Sequence, residues 1–196
     1  MSTRNIVPRN DGEGNIGTVL KQWIRGYFYQ VYTGGLTDGN NSISIADIIK
    51  GILFNKRLNI NFTTTVITAQ DTNLLFGMSE NEVYIVEAEL TVQCSGNAGI
   101  KYAIKAPIGA TIEGWILSSL GAITTLSYQR ITTINTLNSI ALHTVVNTPA
   151  PDRIRFAIVN GATPGNCVIQ VASVTNGQTT TIFAGSWLSA RKGTSV

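Results

Sequence analysis

The stretch Glu82-Val83-Tyr84-Ile85-Val86-Glu87-Ala88-Glu89-Leu90-Thr91-Val92-Gln93-Cys94 decides the fold. Its even positions Tyr84, Val86, Ala88, Leu90, Val92 and Cys94 are apolar, while Glu87, Glu89, Thr91 and Gln93 hold the alternate positions. A period of two puts the sets on opposite faces of a pleated strand, whereas a helical period would scatter both. This is a half-buried strand.

Two neighbouring stretches repeat the pattern. In Lys101 to Ala106, Tyr102, Ile104 and Ala106 point inward and Lys101 and Lys105 outward; in Asp152 to Ile158, Ile154, Phe156 and Ile158 oppose Arg153 and Arg155. Glu87 and Glu89 are expected to pair across strands with Lys101 and Lys105. Further strand-like runs at 62–68, 112–118, 122–134, 139–147, 167–174 and 179–190 are set apart by turn residues such as Ser95-Gly96-Asn97, Pro149-Ala150-Pro151 and Pro164-Gly165-Asn166. About eight to ten strands without long intervening helices predict an antiparallel β-sandwich, a jelly roll, over residues 60–196.

Composition agrees with a mainly β chain. Of 196 residues, 24 are Ile and 24 Thr, β-branched types that suit a pleated surface. Charged residues make up only 13%, about half the usual share, and the hydrophobic 43% excludes disorder. The net charge of +3 contains no basic block, so the footprint of a dedicated nucleic-acid binder is missing. No apolar run is long enough for a spanning helix, and Met1 to Asn15 is too polar for the core of a secretory signal; a protein made and assembled in a cytoplasm is expected. Cys94 and Cys167, both in apolar runs, are expected as small buried hydrophobes rather than a disulfide or metal pair.

The N-terminal part is organised differently. Residues 1–42 are glycine-rich and carry turn signals at Pro8-Arg9-Asn10-Asp11-Gly12, Gly34-Gly35 and Asp38-Gly39-Asn40-Asn41, which allow hairpins and little else. With so few apolar anchors this segment must dock on something to offset its ordering entropy. Residues 43–59 read as a short helix and linker. Ile45, Ile48, Ile49, Ile52 and Leu53 form one helical stripe over 45–55, with Ser44 able to cap. That stripe could pack on its own sandwich or on copies of itself about a symmetry axis.

Catalytic motifs are weak. Gly12-Glu13-Gly14-Asn15-Ile16-Gly17 has dinucleotide-site spacing but follows a turn instead of a buried strand. His143, the one histidine, has no second nitrogen ligand or nucleophile motif beside it and reads as a satisfied strand residue. Glu87 and Glu89 share a face, which raises a glycan hydrolase as a minor alternative, but charge pairing accounts for them more simply. No catalytic, cofactor or metal site is expected. Trp115 could stack on a sugar ring, as could Trp187.

The run Ile6-Val7-Pro8-Arg9, Asp11-Gly12-Glu13-Gly14, Ile16-Gly17-Thr18, Lys21-Gln22-Trp23, Gly26-Tyr27-Phe28, followed by Leu36-Thr37-Asp38-Gly39-Asn40-Asn41-Ser42, resembles the attachment and collar segment of tailed-bacteriophage fibre proteins. The resemblance covers about the first 48 residues. The ending Thr181-Ile182-Phe183-Ala184-Gly185-Ser186-Trp187-Leu188-Ser189-Ala190 is similar to the closing strand of the jelly-roll heads that follow such collars.

The resemblance implies a homotrimeric fibre or spike, on tail or head, anchored in the virion through Ile6, Pro8, Gly12, Gly14, Ile16, Gly17, Trp23, Gly26, Tyr27 and Phe28. Trimer packing would use Ile45, Ile48, Ile49 and Ile52. Its partners would be its own copies, other virion proteins of capsid, portal, collar or tail, and a host-surface glycan bound by the sandwich; nucleic acid and membrane insertion are not expected. The alternative is a capsid or collar decoration protein that only cements the particle. Charge scarcity supports sharing of flanks among copies, since a lone sandwich usually needs surface charge to stay apart from its neighbours.

Overall fold

The computed structural model describes residues 35–37, 42–44, 53–96, 99–120, 122–144 and 147–193. The chain divides into two compact units, Met1–Ile45 and Ala46–Val196. In the first, β1 (Gly35–Thr37) pairs antiparallel with β2 (Ser42–Ser44) on either side of the Asp38–Asn41 turn signal. The attachment residues from Ile6 to Phe28 and the stripe Ile45, Ile48, Ile49 and Ile52 lie outside the described residues.

The second unit is an antiparallel sandwich. Its strands are β3 (Leu53–Arg57), β4 (Phe62–Thr64), β5 (Gln70–Met78), β6 (Val83–Cys94), β7 (Ile100–Lys105), β8 (Thr111–Leu120), β9 (Ala122–Ile131), β10 (Ala150–Val159), β11 (Gly165–Ser173), β12 (Thr180–Ile182) and β13 (Trp187–Gly193). The large sheet runs β3-β13-β6-β10-β8-β9, with β12 joining β6 to β4; the small one runs β5-β11-β7. The fold is mainly β, and no helix occurs among the described residues.

The alternation read from Glu82 to Cys94 sets β6 as the central strand. Tyr84, Val86, Ala88, Leu90, Val92 and Cys94 are all buried, and they meet Ile154, Phe156 and Ile158 of β10 and Tyr102 and Ile104 of β7 in one core. Phe54, Phe76 and Tyr84 close one part of it, with ring centroids 5.3 to 6.4 Å apart. Aromatic pairs at such separations add about 0.5–1.5 kcal/mol each beyond burial.

Three local expectations change. The helix expected over 45–55 does not reach its end: Leu53–Arg57 is strand β3, laddered to β13 from Arg57↔Trp187 to Leu53↔Arg191. Sheet pairing and the Phe54 ring contacts outweigh the local period, while 45–52 lie outside the described residues. The run 179–190 is two strands, because Phe183–Ser186 turns between them with Gly185 at φ 96°. Ser186 Oγ stitches the break, accepting from Thr91 N at 3.0 Å and donating to Phe183 O at 2.8 Å.

The third change concerns 139–147, whose described residues 139–144 and 147 form no strand beyond the single bridge of Leu142 to Ile100. A jelly roll has four strands in each sheet; β6-β10-β8-β9 supply one set, while β5-β11-β7 lack the fourth, a place that the strand expected at 139–147 would fill. In its place the chain after β9 straps the bare edge of β7. Asn135 N donates to Ile104 O and Asn138 N to Tyr102 O, at 2.8 and 2.9 Å. Asn135 Oδ1 accepts from Ala106 N and its Nδ2 donates to Ala106 O, so one amide side chain imitates a strand partner. Positive φ at Asn135 and His143 keeps the strap irregular.

Candidate functional site

The outward residues of the large sheet form two rows fixed by register. One runs Arg57, Trp187, Glu89, Arg153, Leu117, Tyr128; the next runs Asn55, Ser189, Glu87, Arg155, Trp115, Arg130. Each strand contributes to this face because its alternate residues are committed to the core. Arg153 Nε lies 3.3 Å from Glu89 Oε2 and Arg155 Nε 3.2 Å from Glu87 Oε1.

The partners of the two glutamates are therefore arginines of β10. Lys101 and Lys105, expected in that role, sit on β7 in the opposite sheet, where Lys105 pairs with Asp71 at 2.7 Å. Sequence order misled because β7 crosses to the other layer. The alternation in Asp152 to Ile158 sets Arg153 and Arg155 toward solvent, and the β6–β10 register puts them on the face that carries Glu87 and Glu89.

Between Trp115 and Trp187 lies a shallow depression of about 250 Å³, floored by both ion pairs. Trp187 is 39% exposed and Tyr128 70%, and the Tyr128 ring meets Trp115 edge-on with centroids 6.0 Å apart. On the same face Arg130 Nε reaches Glu113 Oε1 at 2.6 Å and holds that carboxyl below the usual carboxylate range. Exposed pairs of this kind contribute little to stability. Their alignment between two tryptophans is thus poorly accounted for by folding alone.

A second depression of similar size lies between the strap and β9, lined by Tyr102, Gln129, Thr133, Thr136 and Asn138 among others. Gln129 Oε1 is buried there without a hydrogen-bond partner.

His143 stands in a fully buried polar cluster. Ser118 Oγ donates to Asp152 Oδ1 at 2.7 Å, His143 Nδ1 lies 3.3 Å from the same oxygen, and Tyr102 Oη donates to Oδ2 at 2.6 Å. His143 Nε2 is 3.3 Å from Thr148 O. The three types of a hydrolytic triad are present, but serine and histidine both address the aspartate and all three are shut from solvent. This is not the nucleophile–base–acid order of a triad. The histidine is satisfied, as expected, though in the strap rather than in a strand.

Cys94 and Cys167 are free and buried, as expected. Burial pushes their thiols up to about 11 and about 12. Among the described residues no group of three His, Cys, Asp or Glu is arranged to hold a metal ion.

No family model matches the chain, and no curated protein does. Two solved structures are similar. The tripod BppUct-A-L from the baseplate of bacteriophage Tuc2009 shares 12% identity at a TM-score of 0.31, over 95% of this chain and 84% of that one. The VP2 subviral particle of infectious bursal disease virus shares 9% identity at a TM-score of 0.21, over 81% and 45%. At these scores neither likeness carries an argument about this protein.

Proposed function

We propose that this chain is a structural virion protein of a tailed phage: a trimeric fibre or spike, anchored through its N-terminal segment, whose sandwich engages glycan on the host surface. It is a binding protein and not an enzyme, and its strength comes from several weak sites on one particle acting together. The observation that carries the reading is the outer face of the large sheet, where Trp115, Trp187 and Tyr128 stand among paired charges on a chain otherwise poor in charge.

Two further features support it. The N-terminal run from Ile6 to Ser42 has the order of glycines and aromatics of a fibre attachment segment. Strand β9, ten residues long, has β8 as its one neighbour among the described strands and exposes Leu126 and Tyr128, an edge that copies of the chain would cover.

The test is sedimentation equilibrium of the full chain together with its binding to cells of the host strain. A mass three times that of one chain, with saturable adsorption to cells, is expected. A monomer overturns the fibre. A trimer that ignores host cells at high multivalency overturns host attachment and favours the decoration role.

A further inference from the structure

We infer that the depression between Trp115 and Trp187 binds a neutral oligosaccharide, with one tryptophan stacking at each end and the Glu87–Arg155 and Glu89–Arg153 pairs as its hydrogen-bonding floor. The inference rests on the glycan-binding reading above, and adds the place, the charge class and the length of the ligand.

The charge class follows from the floor. Two carboxylates and two guanidiniums cancel, and each guanidinium is already in contact with a carboxylate, at 3.2 and 3.3 Å. An anionic ligand would have to displace Glu87 or Glu89 from its arginine, and a cationic one would have to displace the arginine. A sugar hydroxyl both donates and accepts, so it can bridge from Arg Nη to Glu Oε without breaking either pair. Ion pairing also holds the long arginine side chains in place before any ligand arrives, which lowers the ordering cost of binding.

The length follows from the register. Trp187 on β13 and Trp115 on β8 are separated by β6 and β10, hence by three strand spacings, roughly 14 Å. One sugar ring cannot reach both indoles, whereas a short oligosaccharide lying across the strands can. Its apolar ring faces would cover Trp187, 39% exposed, and the open side of Trp115, while Tyr128 supports Trp115 from behind. The site therefore lies on a sheet face and not in the loops at the end of the sandwich.

The experiment uses the full-length chain on an array of neutral gluco-, galacto- and manno-oligosaccharides with sialylated and phosphorylated counterparts, followed by calorimetric titration of the hits. Neutral oligosaccharides are expected to bind, and their monosaccharides at least about tenfold more weakly. Trp115→Ala and Trp187→Ala should each weaken binding by about tenfold while melting temperature and sedimentation stay unchanged. Glu87→Gln, which keeps the shape, should weaken it as well.

Preference for anionic glycans, absence of neutral binding at millimolar concentration, or full affinity in both tryptophan variants would each overturn the inference. So would a change in oligomeric mass in those variants, which would make this face a contact between copies. Host-cell adsorption in the same series separates the two readings. Trimers of both variants that adsorb like the parent reject this site and leave host attachment standing, whereas a parent trimer that does not adsorb rejects host attachment itself.

Discussion

The Tyr102 hydroxyl donates to Asp152 Oδ2 at 2.6 Å, a bond from the small sheet to the large one between two buried side chains. Burial and then the neighbouring carboxyl push the phenol well above its usual range, so it remains a donor at any working pH. Tyr102→Phe removes one partner of an acidic group and should cost about 1–3 kcal/mol. Asp152→Ala takes an acceptor from Tyr102, Ser118 and His143 together and should cost more, about 3–5 kcal/mol. Urea unfolding at neutral pH measures both, and an Asp152→Ala loss no larger than that of Tyr102→Phe would show that the cluster does not act as a unit.

Gly114 sits opposite Phe156 in the β8–β10 ladder. A Cβ there would stand 2.3 Å from Phe156 Cβ and 2.4 Å from Arg155 O, and backbone cannot yield as a side-chain tip can. Gly114→Ala should destabilise by about 1–3 kcal/mol or more and shift the adjoining Trp115. A thermal melt with near-ultraviolet dichroism checks it; an unchanged melt would mean the two strands separate freely.

The strap makes a different demand. Asn138 Oδ1 accepts from Tyr102 N and its Nδ2 donates to Ile140 O, while Asn135 serves both backbone groups of Ala106. Asn135→Ala and Asn138→Ala should each cost about 1–3 kcal/mol, the cost of an orphaned buried group. The sharper signature is local: amide exchange should quicken at Ala106 in the first variant and at Tyr102 in the second. Equal exchange in parent and variants would show that water replaces the side chains without loss.

These cases show how far the sequence could be read. Period-two alternation identified β6, β7 and β10 with their inward residues, because β6 and β10 have one face in the core and one toward solvent, while on β7 Ala103, in phase with the lysines, is buried as well. It could not tell which layer a strand joins, so Glu87 and Glu89 were assigned lysines from the next strand in the chain instead of arginines from β10. Nor could it find the strap. Asn135 and Asn138 complete a sheet edge with their side chains, and a side chain acting as backbone leaves no alternation behind. Trp115 was legible as an aromatic able to stack on a sugar, and the structure leaves it half-buried; its relation to Trp187 across three strand spacings depended on register.

The raised thiols give a kinetic prediction. Cys94 at about 11 and Cys167 at about 12 hold almost no thiolate at pH 8, and both are buried. Alkylation by iodoacetamide should be slow in the native protein and fast at both positions in urea, as mass spectrometry would show. Rapid native labelling of Cys167 would mean that β11 opens readily.

Asp71 supplies the clearest pH dependence. Lys105 Nζ at 2.7 Å and Gln170 Nε2 at 2.6 Å hold its carboxyl below the ordinary carboxylate range, the lysine being the larger cause. A depressed folded value means that the unfolded chain takes up the proton first. The contribution is therefore complete above the unfolded value of about 4 and is lost as pH falls through the lower folded value. With side chains 50% and 47% exposed, solvent screening limits it to under about 1 kcal/mol. Lys105→Met should thus lower stability by about 0.5 kcal/mol at pH 7, and the deficit should shrink steadily on acidification below about pH 4. Urea titrations of parent and variant across that range decide the matter: a deficit that persists in acid would trace to the packing of the lysine stem on β7, and one abolished by salt at pH 7 would confirm its electrostatic origin.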